Sequence, residues 1–175
     1  MSVIFYNFML NSKWGVFVGK VIERTAAANL VKNLQKEGKT VVTTNGCFDI
    51  LHVGHVRYLS QTKSFGDCLV VLLNSDKSVR AIKGEGRPIN NEKDRAEVLC
   101  ALACVDYVVL FDETSPRDLL DEIKPNVHTK GADYTLETLP EADVILKNGG
   151  RVEFIKFVEG KSTTNTIKKM KSLNN

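Results

Sequence analysis

The chain has 175 residues, with 24 Lys and Arg against 21 Asp and Glu, for a formal net charge of +3. A hydrophobic fraction of 43% and a charged fraction of 26% exclude a disordered chain and suit one folded domain. No apolar run approaches the ~20 residues that span a bilayer, and the mild positive balance lacks the dense basic patch of a nucleic-acid binder. Cys47, Cys68, Cys100 and Cys104 contain no Cys-x-x-Cys pair, which argues against a cysteine zinc site. Cys100 and Cys104, spaced i,i+4, read as two small core residues on one helix, and a reducing, cytoplasmic setting is expected. The opening stretch MSVIFYNFML is interrupted by Asn7 and lacks both a basic leader and a small-residue cleavage site. Residues 1–20 are therefore read as an extension of unknown structure, and residues 21–175 as a single domain.

From Val21 the pattern is regular. Ala26, Leu30, Val31 and Leu34 recur at helical spacing and end at Gly38. A β-branched run, Thr40 to Thr44, leads into Asn45-Gly46, and a helix carrying Val56 and Leu59 stops at Gly66. Leu69 to Leu73 is a continuous apolar run, as expected of a strand covered on both faces. A third helix is predicted from Glu92 to Cys104, then a strand from Tyr107 to Phe111. Pro116 fits the first turn of a helix carrying Leu119, Leu120 and Ile123. Strands at Asn126 to Thr129 and Val152 to Phe157 flank a helix near Leu139 to Lys147, and a last helix starts after Ser162-Thr163-Thr164. This alternation predicts an α/β fold, a Rossmann-like doubly wound parallel sheet of about five strands. Ligands bind such sheets outside the carboxyl ends of the strands.

The first strand runs into Asn45-Gly46-Cys47-Phe48-Asp49-Ile50-Leu51-His52-Val53-Gly54-His55. His52 and His55 lie one helical turn apart on one face. Gly46 permits close backbone approach, and the strand end and helix N-terminus offer amide donors to an anion. Imidazoles beside those donors suit phosphate oxygens, and Gly54 leaves room for a base or ribose. Two other readings of the histidine pair remain at this point. A metal site would more often use i,i+4 spacing and a third ligand, and core histidines would sit poorly in so polar a turn.

His52-x-Gly54-His55 after a first strand resembles the signature of the cytidylyltransferase-like nucleotidyltransferases. Further motifs follow in order: Asn74-Ser75-Asp76, Lys83-Gly84, Arg87-Pro88-Ile89-Asn90, Arg95, Val105-Asp106, Lys130-Gly131-Ala132-Asp133-Tyr134 and Ser162-Thr163-Thr164-Asn165. Together with Asn45 to Asp49 they resemble the bacterial D-glycero-β-D-manno-heptose 1-phosphate adenylyltransferases over about Val21 to Met170. The resemblance implies transfer of AMP from ATP to heptose 1-phosphate, giving ADP-heptose and pyrophosphate for lipopolysaccharide core or surface-polysaccharide precursors. ATP and a sugar 1-phosphate are then the small-molecule partners, Mg²⁺ accompanies ATP, and relatives form homodimers. Nucleic acid and membrane are not expected partners. The family is often fused behind a sugar-kinase domain; this chain is too short for one and reads as a stand-alone transferase or an excised domain. Thr44 and His128-Thr129 stand where the family usually has apolar strand residues, and His128 reads as a strand-end variant.

The implied catalytic set is His52, His55 and Lys130. Asn45 and the backbone of Gly46, Cys47 and Phe48, with Gly54, Lys83, Arg87 and Arg95, are expected at the nucleotide. Ser162, Thr163 and Thr164 cap the last helix and would face the β,γ-phosphates. Lys83 and Arg87 bracket a glycine-rich loop able to close on a triphosphate, and Arg95 suits bidentate phosphate contact. Asn74, Asp76, Lys130 and Asp133 are expected at the sugar phosphate, although Asp76 also fits a helix cap. Asp49 fits either a histidine-orienting or a capping role. A cytidylyltransferase acting on glycerol 3-phosphate, or a nucleotide-binding module without turnover, is the competing reading. The Arg-Thr usually preceding the final Ser-Thr-Thr in the glycerol-phosphate relatives is absent, since Val158-Glu159-Gly160-Lys161 stands there.

Overall fold

A computed structural model describes residues 19–156 and Ser172. In chain order its elements are β1 (Lys20–Val21), α1 (Arg24–Lys36), β2 (Val41–Gly46), α2 (Val53–Lys63), β3 (Cys68–Asn74) and α3 (Asp76–Lys83). There follow α4 (Glu92–Cys100), β4 (Tyr107–Phe111), α5 (Arg117–Ile123), β5 (Val127–Gly131), α6 (Ala142–Lys147) and β6 (Arg151–Ile155). The strands form one six-stranded sheet in the order β1-β4-β3-β2-β5-β6, with every pairing parallel. This is the doubly wound α/β fold expected, with one strand more than the five predicted. The addition is β1, a two-residue edge pairing Lys20 with Tyr107 and Val21 with Val108, too short to show an alternating pattern.

Alternation along β3 explains the two-faced core. Cys68, Val70 and Leu72 pack with Ala27 and Val31 of α1, Leu119, Leu120 and Ile123 of α5, and Val144 and Ile145 of α6. Leu69, Val71 and Leu73 pack on the other face with Leu59 of α2 and Ala96, Leu99 and Cys100 of α4. Since β3 lies between β2 and β4, all seven of its residues are buried, and each large side chain there contributes about 1.5–3 kcal/mol.

Several predicted bounds shift. Ser75 accepts from the Ser78 amide and caps α3, a helix absent from the sequence reading because its short polar run buries only Ser78 and Val79. The third predicted helix stops at Cys100, so Cys104 lies beyond it rather than on the same helical face; both thiols are free. The last predicted helix, with Ser162, Thr163 and Thr164, lies outside the described residues.

The central strands β2 and β5 interrupt the apolar core with two polar sets, one on each face. Toward α2, Thr44 Oγ1 lies 2.8 Å from Tyr58 Oη, and Thr129 Oγ1 lies 3.3 Å from Tyr58 Oη and 3.0 Å from Thr62 Oγ1. On the opposite face Thr43 Oγ1 meets His128 Nδ1 at 2.9 Å, and His128 is fully buried. The hydroxyl set ties α2 to both strands one turn below His55. This compensates the burial of groups that would otherwise be costly to desolvate.

Candidate active site

Chain order along the sheet reverses at β2, which has β3 on one side and β5 on the other. The crevice at such a switch point, at the carboxyl ends of the strands, is where these sheets bind ligands. Main-chain pairing between β2 and β5 ends at Thr44–Thr129. At the next position Lys130 Nζ donates to Asn45 Oδ1 at 2.6 Å, so a side-chain bridge spans the opening gap.

Beyond Asn45 the backbone turns sharply. Phe48 takes a positive φ of 42°, an uncommon conformation for an aromatic residue, and its ring folds back over Gly46. A Cβ on Gly46 would lie 3.0 Å from that ring, so any side chain here would have to push the Phe48 ring aside. Phe48 also meets the His55 ring edge-on, with centroids 5.5 Å apart. The turn therefore places the Phe48 ring against both Gly46 and His55.

His52 is the N-cap of α2. Its Nδ1 accepts from the Gly54 amide at 3.1 Å, which leaves the neutral ring's proton on Nε2. The helix thus satisfies one of its first amides with this imidazole, so an anion here would meet the ring itself. His52 and His55 stack with centroids 3.9 Å apart and planes 23° from parallel. Burial and the nearby His52 push the His55 pKa down to about 4, so His55 is neutral at physiological pH. Its Nδ1 is buried and has no hydrogen-bond partner among the described residues.

Asp49 does neither of the things expected of it. Its side chain is 1% exposed and accepts from Arg87 Nε at 2.6 Å, from the Ile89 amide at 2.8 Å and from the Asn90 amide at 2.9 Å. Burial alone would raise its pKa, but these amides and the guanidinium outweigh it and hold the carboxyl below its usual value. Asp49 thus straps the segment after α3 onto the β2–α2 turn. The local signal was limited to an acidic residue in a turn, because its partners lie some forty positions away.

Arg95, 2% exposed, is also an internal clamp. It donates to the carbonyls of Asn90, Cys47 and Asn74 and, through Nη2, to Asp76 Oδ1 at 2.8 Å. These bonds use all but one of its N–H groups. Asn74 Nδ2 donates to Ser78 Oγ, and both Asn74 and Asp76 are engaged in the β3–α3 junction. Arg95, Asn74 and Asp76 therefore come together behind the Cys47 turn, where their bonds support the loop. Lys83 is exposed at the end of α3, before Gly84 with its φ of 91°. Cys47 is half-buried; burial raises its thiol pKa against the opposing charges of Lys83, Arg95 and Arg87. Asp133 is exposed in the loop after β5.

Sequence reasoning missed Glu141. This residue precedes α6, is 2% exposed, and accepts from Lys130 Nζ at 2.8 Å. Its only sequence signal was a lone acid after Leu139-Pro140. Among the described residues no group of three or more His, Cys, Asp or Glu side chains could hold a metal ion. No helix among them is long and apolar enough to cross a membrane.

Comparison with known proteins agrees with the fold. The cytidylyltransferase-like family model matches residues 43–170, which include the β2–α2 turn and β5. Over 151 residues the chain is 52% identical to the bifunctional protein HldE of Geobacter metallireducens and 50% identical to that of Geobacter sulfurreducens. Each alignment covers 86% of this chain but 31% of the relative, so the chain spans about a third of their length. The crystal structure of the lipopolysaccharide core biosynthesis protein from Thermoplasma volcanium GSS1 is similar with a TM-score of 0.58 and 32% identity, covering 71% of this chain and 100% of that one. A pantoate-β-alanine ligase from Francisella tularensis, complexed with an ATP analogue and β-alanine, shares the fold at a TM-score of 0.61 and 13% identity, over 89% of this chain and 78% of its own. On the family match and these alignments, the chain belongs to the cytidylyltransferase-like family.

Proposed function

We propose that the protein transfers AMP from ATP to D-glycero-β-D-manno-heptose 1-phosphate, releasing pyrophosphate and forming ADP-heptose for lipopolysaccharide core or surface-polysaccharide precursors. The stacked His52–His55 pair at the start of α2, just past the carboxyl end of β2 at the switch point, is the observation that carries this reading. A sugar-phosphate oxygen attacks the α-phosphorus in line, a new P–O bond forms, and the bond to the β-phosphate oxygen breaks as pyrophosphate leaves. Both reactants are polyanions, so positioning and positive charge supply most of the catalysis.

His52, with its proton on Nε2, and His55 donate to oxygens of the α- and β-phosphates as charge shifts toward the leaving group. Asn45 and the backbone of Gly46, Cys47 and Phe48 cradle the same phosphates, and Gly54 leaves space for the nucleoside. Lys83, exposed before Gly84, and Arg87, strapped by Asp49, face the β,γ-phosphates. Ser162, Thr163 and Thr164 complete that end of the nucleotide on the strength of the motif. Lys130 takes the sugar phosphate and Asp133 the sugar hydroxyls. Arg95, Asn74 and Asp76 act at one remove, by holding the Cys47 turn and the start of α3. Mg²⁺ enters with ATP, coordinated by phosphates and water. The reaction belongs in the cytoplasm, where ATP is supplied. A homodimer follows the relatives, with Val53 and Val56 of α2 and Val98 of α4 exposed to meet a second copy.

Pyrophosphate release tests the reading. The protein is incubated with MgATP or MgCTP and with heptose 1-phosphate or glycerol 3-phosphate. Release with ATP and the heptose phosphate is expected. Release only with CTP and glycerol 3-phosphate would replace the reading by a cytidylyltransferase, and nucleotide binding without release would make the chain a binding module.

A further inference from the structure

We propose that Glu141 is a positioning residue for the sugar-phosphate half of the site, fixing the Lys130 ammonium across the β2–β5 crevice; this rests on the reading that Lys130 receives the sugar phosphate. The argument starts from the side chain's own freedom. Lysine carries a flexible four-carbon stem, and a point charge on such a stem is poorly placed unless acceptors hold it. Here two acceptors do so: Asn45 Oδ1 at 2.6 Å on β2 and Glu141 Oε1 at 2.8 Å at the start of α6. The Tyr134 ring lies 5.3 Å from the same nitrogen. An ammonium has three N–H donors, so one is left for a ligand. The Lys130 side chain is 15% exposed, whereas that of Glu141 is 3% exposed, so the cation alone can reach substrate.

Glu141 is itself held. Burial works against its charge, yet the Lys130 ammonium bonded to it holds the carboxyl below the usual carboxylate value. His128 Nε2 lies 3.8 Å from Glu141 Oε1, too far for a hydrogen bond, while its Nδ1 meets Thr43. Thr43, Asn45, His128 and Lys130 follow the alternation of β2 and β5 onto one face, the face that α6 covers. The acid is therefore built into the sheet next to the site, and it acts through Lys130.

Charge and position make opposite forecasts, which gives the test its force. A carboxylate beside a phosphate site should weaken phosphate binding if only net charge counts, so removing it should lower the KM for the sugar phosphate. If Glu141 holds Lys130 in place, removing it should raise that KM. In the full chain, Glu141→Ala is expected to raise the KM for heptose 1-phosphate ~10-fold while the KM for ATP stays within about twofold. Glu141→Gln, which keeps a carbonyl acceptor, should recover most of the loss. In a Lys130→Met background, Glu141→Ala should add less than about twofold, because the two residues act as one unit. Should Glu141→Ala fail to fold, Glu141→Asp, with its carboxylate drawn back, should show the same split to a smaller extent. A lowered sugar-phosphate KM, an equal rise for ATP, or a full additional loss in the Lys130→Met background would overturn the inference. An unchanged sugar-phosphate KM in Lys130→Met alone would instead strike the reading of Lys130 itself.

Discussion

His52 does two jobs with two nitrogens, and substitution can separate them. Nδ1 caps α2 through the Gly54 amide, and Nε2–H is the proposed phosphate donor. His52→Ala removes both. Losing an N-cap bond costs ~1 kcal/mol, which shifts Tm by roughly 2–4 °C in a domain of this size. Losing a donor to a developing anion costs ~10²–10³-fold in kcat. His52→Asn restores a side-chain oxygen at the N-cap, among the best residues there, but supplies no imidazole. Its Tm should therefore return to near the wild-type value while kcat stays ~10²-fold down. Thermal melts and pyrophosphate release on the same three proteins check this. Turnover restored together with stability in His52→Asn would show that His52 serves the fold alone, and would refute the reasoning.

Asp49→Ala leaves two amides and the Arg87 guanidinium without their acceptor, at a cost of ~3–5 kcal/mol; urea titration would read it, together with a raised KM for ATP as the strap is lost. Because the Asp49 pKa is lowered in the folded state, this stabilisation is present above the unfolded value near pH 4 and fades as pH falls below it; an acid-unfolding midpoint unchanged in Asp49→Asn would contradict this. Tyr58→Phe removes the hydroxyl that lies 2.8 Å from Thr44 Oγ1 and 3.3 Å from Thr129 Oγ1, and should destabilise by ~1–2 kcal/mol, read by urea denaturation at pH 7. His55, half-buried and lowered from 6.5 to about 4, is neutral in the folded state and must be charged on unfolding in acid. The folded state therefore loses stability as pH falls from about 6.5 toward 4, and a His55→Gln variant should lose less over that interval in urea titrations at each pH.

The parts of the fold written in continuous apolar runs were legible. Leu69 to Leu73 and Tyr107 to Phe111 are buried strands because parallel strands here have helices on both faces. The short elements were not legible: β1 is two residues long, and α3 carries too few apolar positions to set a helical period. The candidate site divides along similar lines. His52 and His55 lie three positions apart in sequence, so their shared face follows from helical spacing alone. Arg95 suits bidentate phosphate contact as a residue type, but its guanidinium lies among the carbonyls of Asn90, Cys47 and Asn74, the last two far away in sequence. Asp49 and Glu141 have partners that chain folding alone brings near, so neither role could be read from neighbouring letters. His128 is the odd strand residue, and Thr43, a β-branched strand residue, accounts for it by facing it across β2 and β5.

The most direct measurement is a crystal structure of the protein with MgATP analogue bound. The account predicts α- and β-phosphate oxygens within hydrogen-bonding distance of the His52 and His55 rings, at the carboxyl end of β2. A triphosphate seated elsewhere, for instance in the depression lined by Leu51, Asp94 and Val98 with neither histidine in contact, would contradict it.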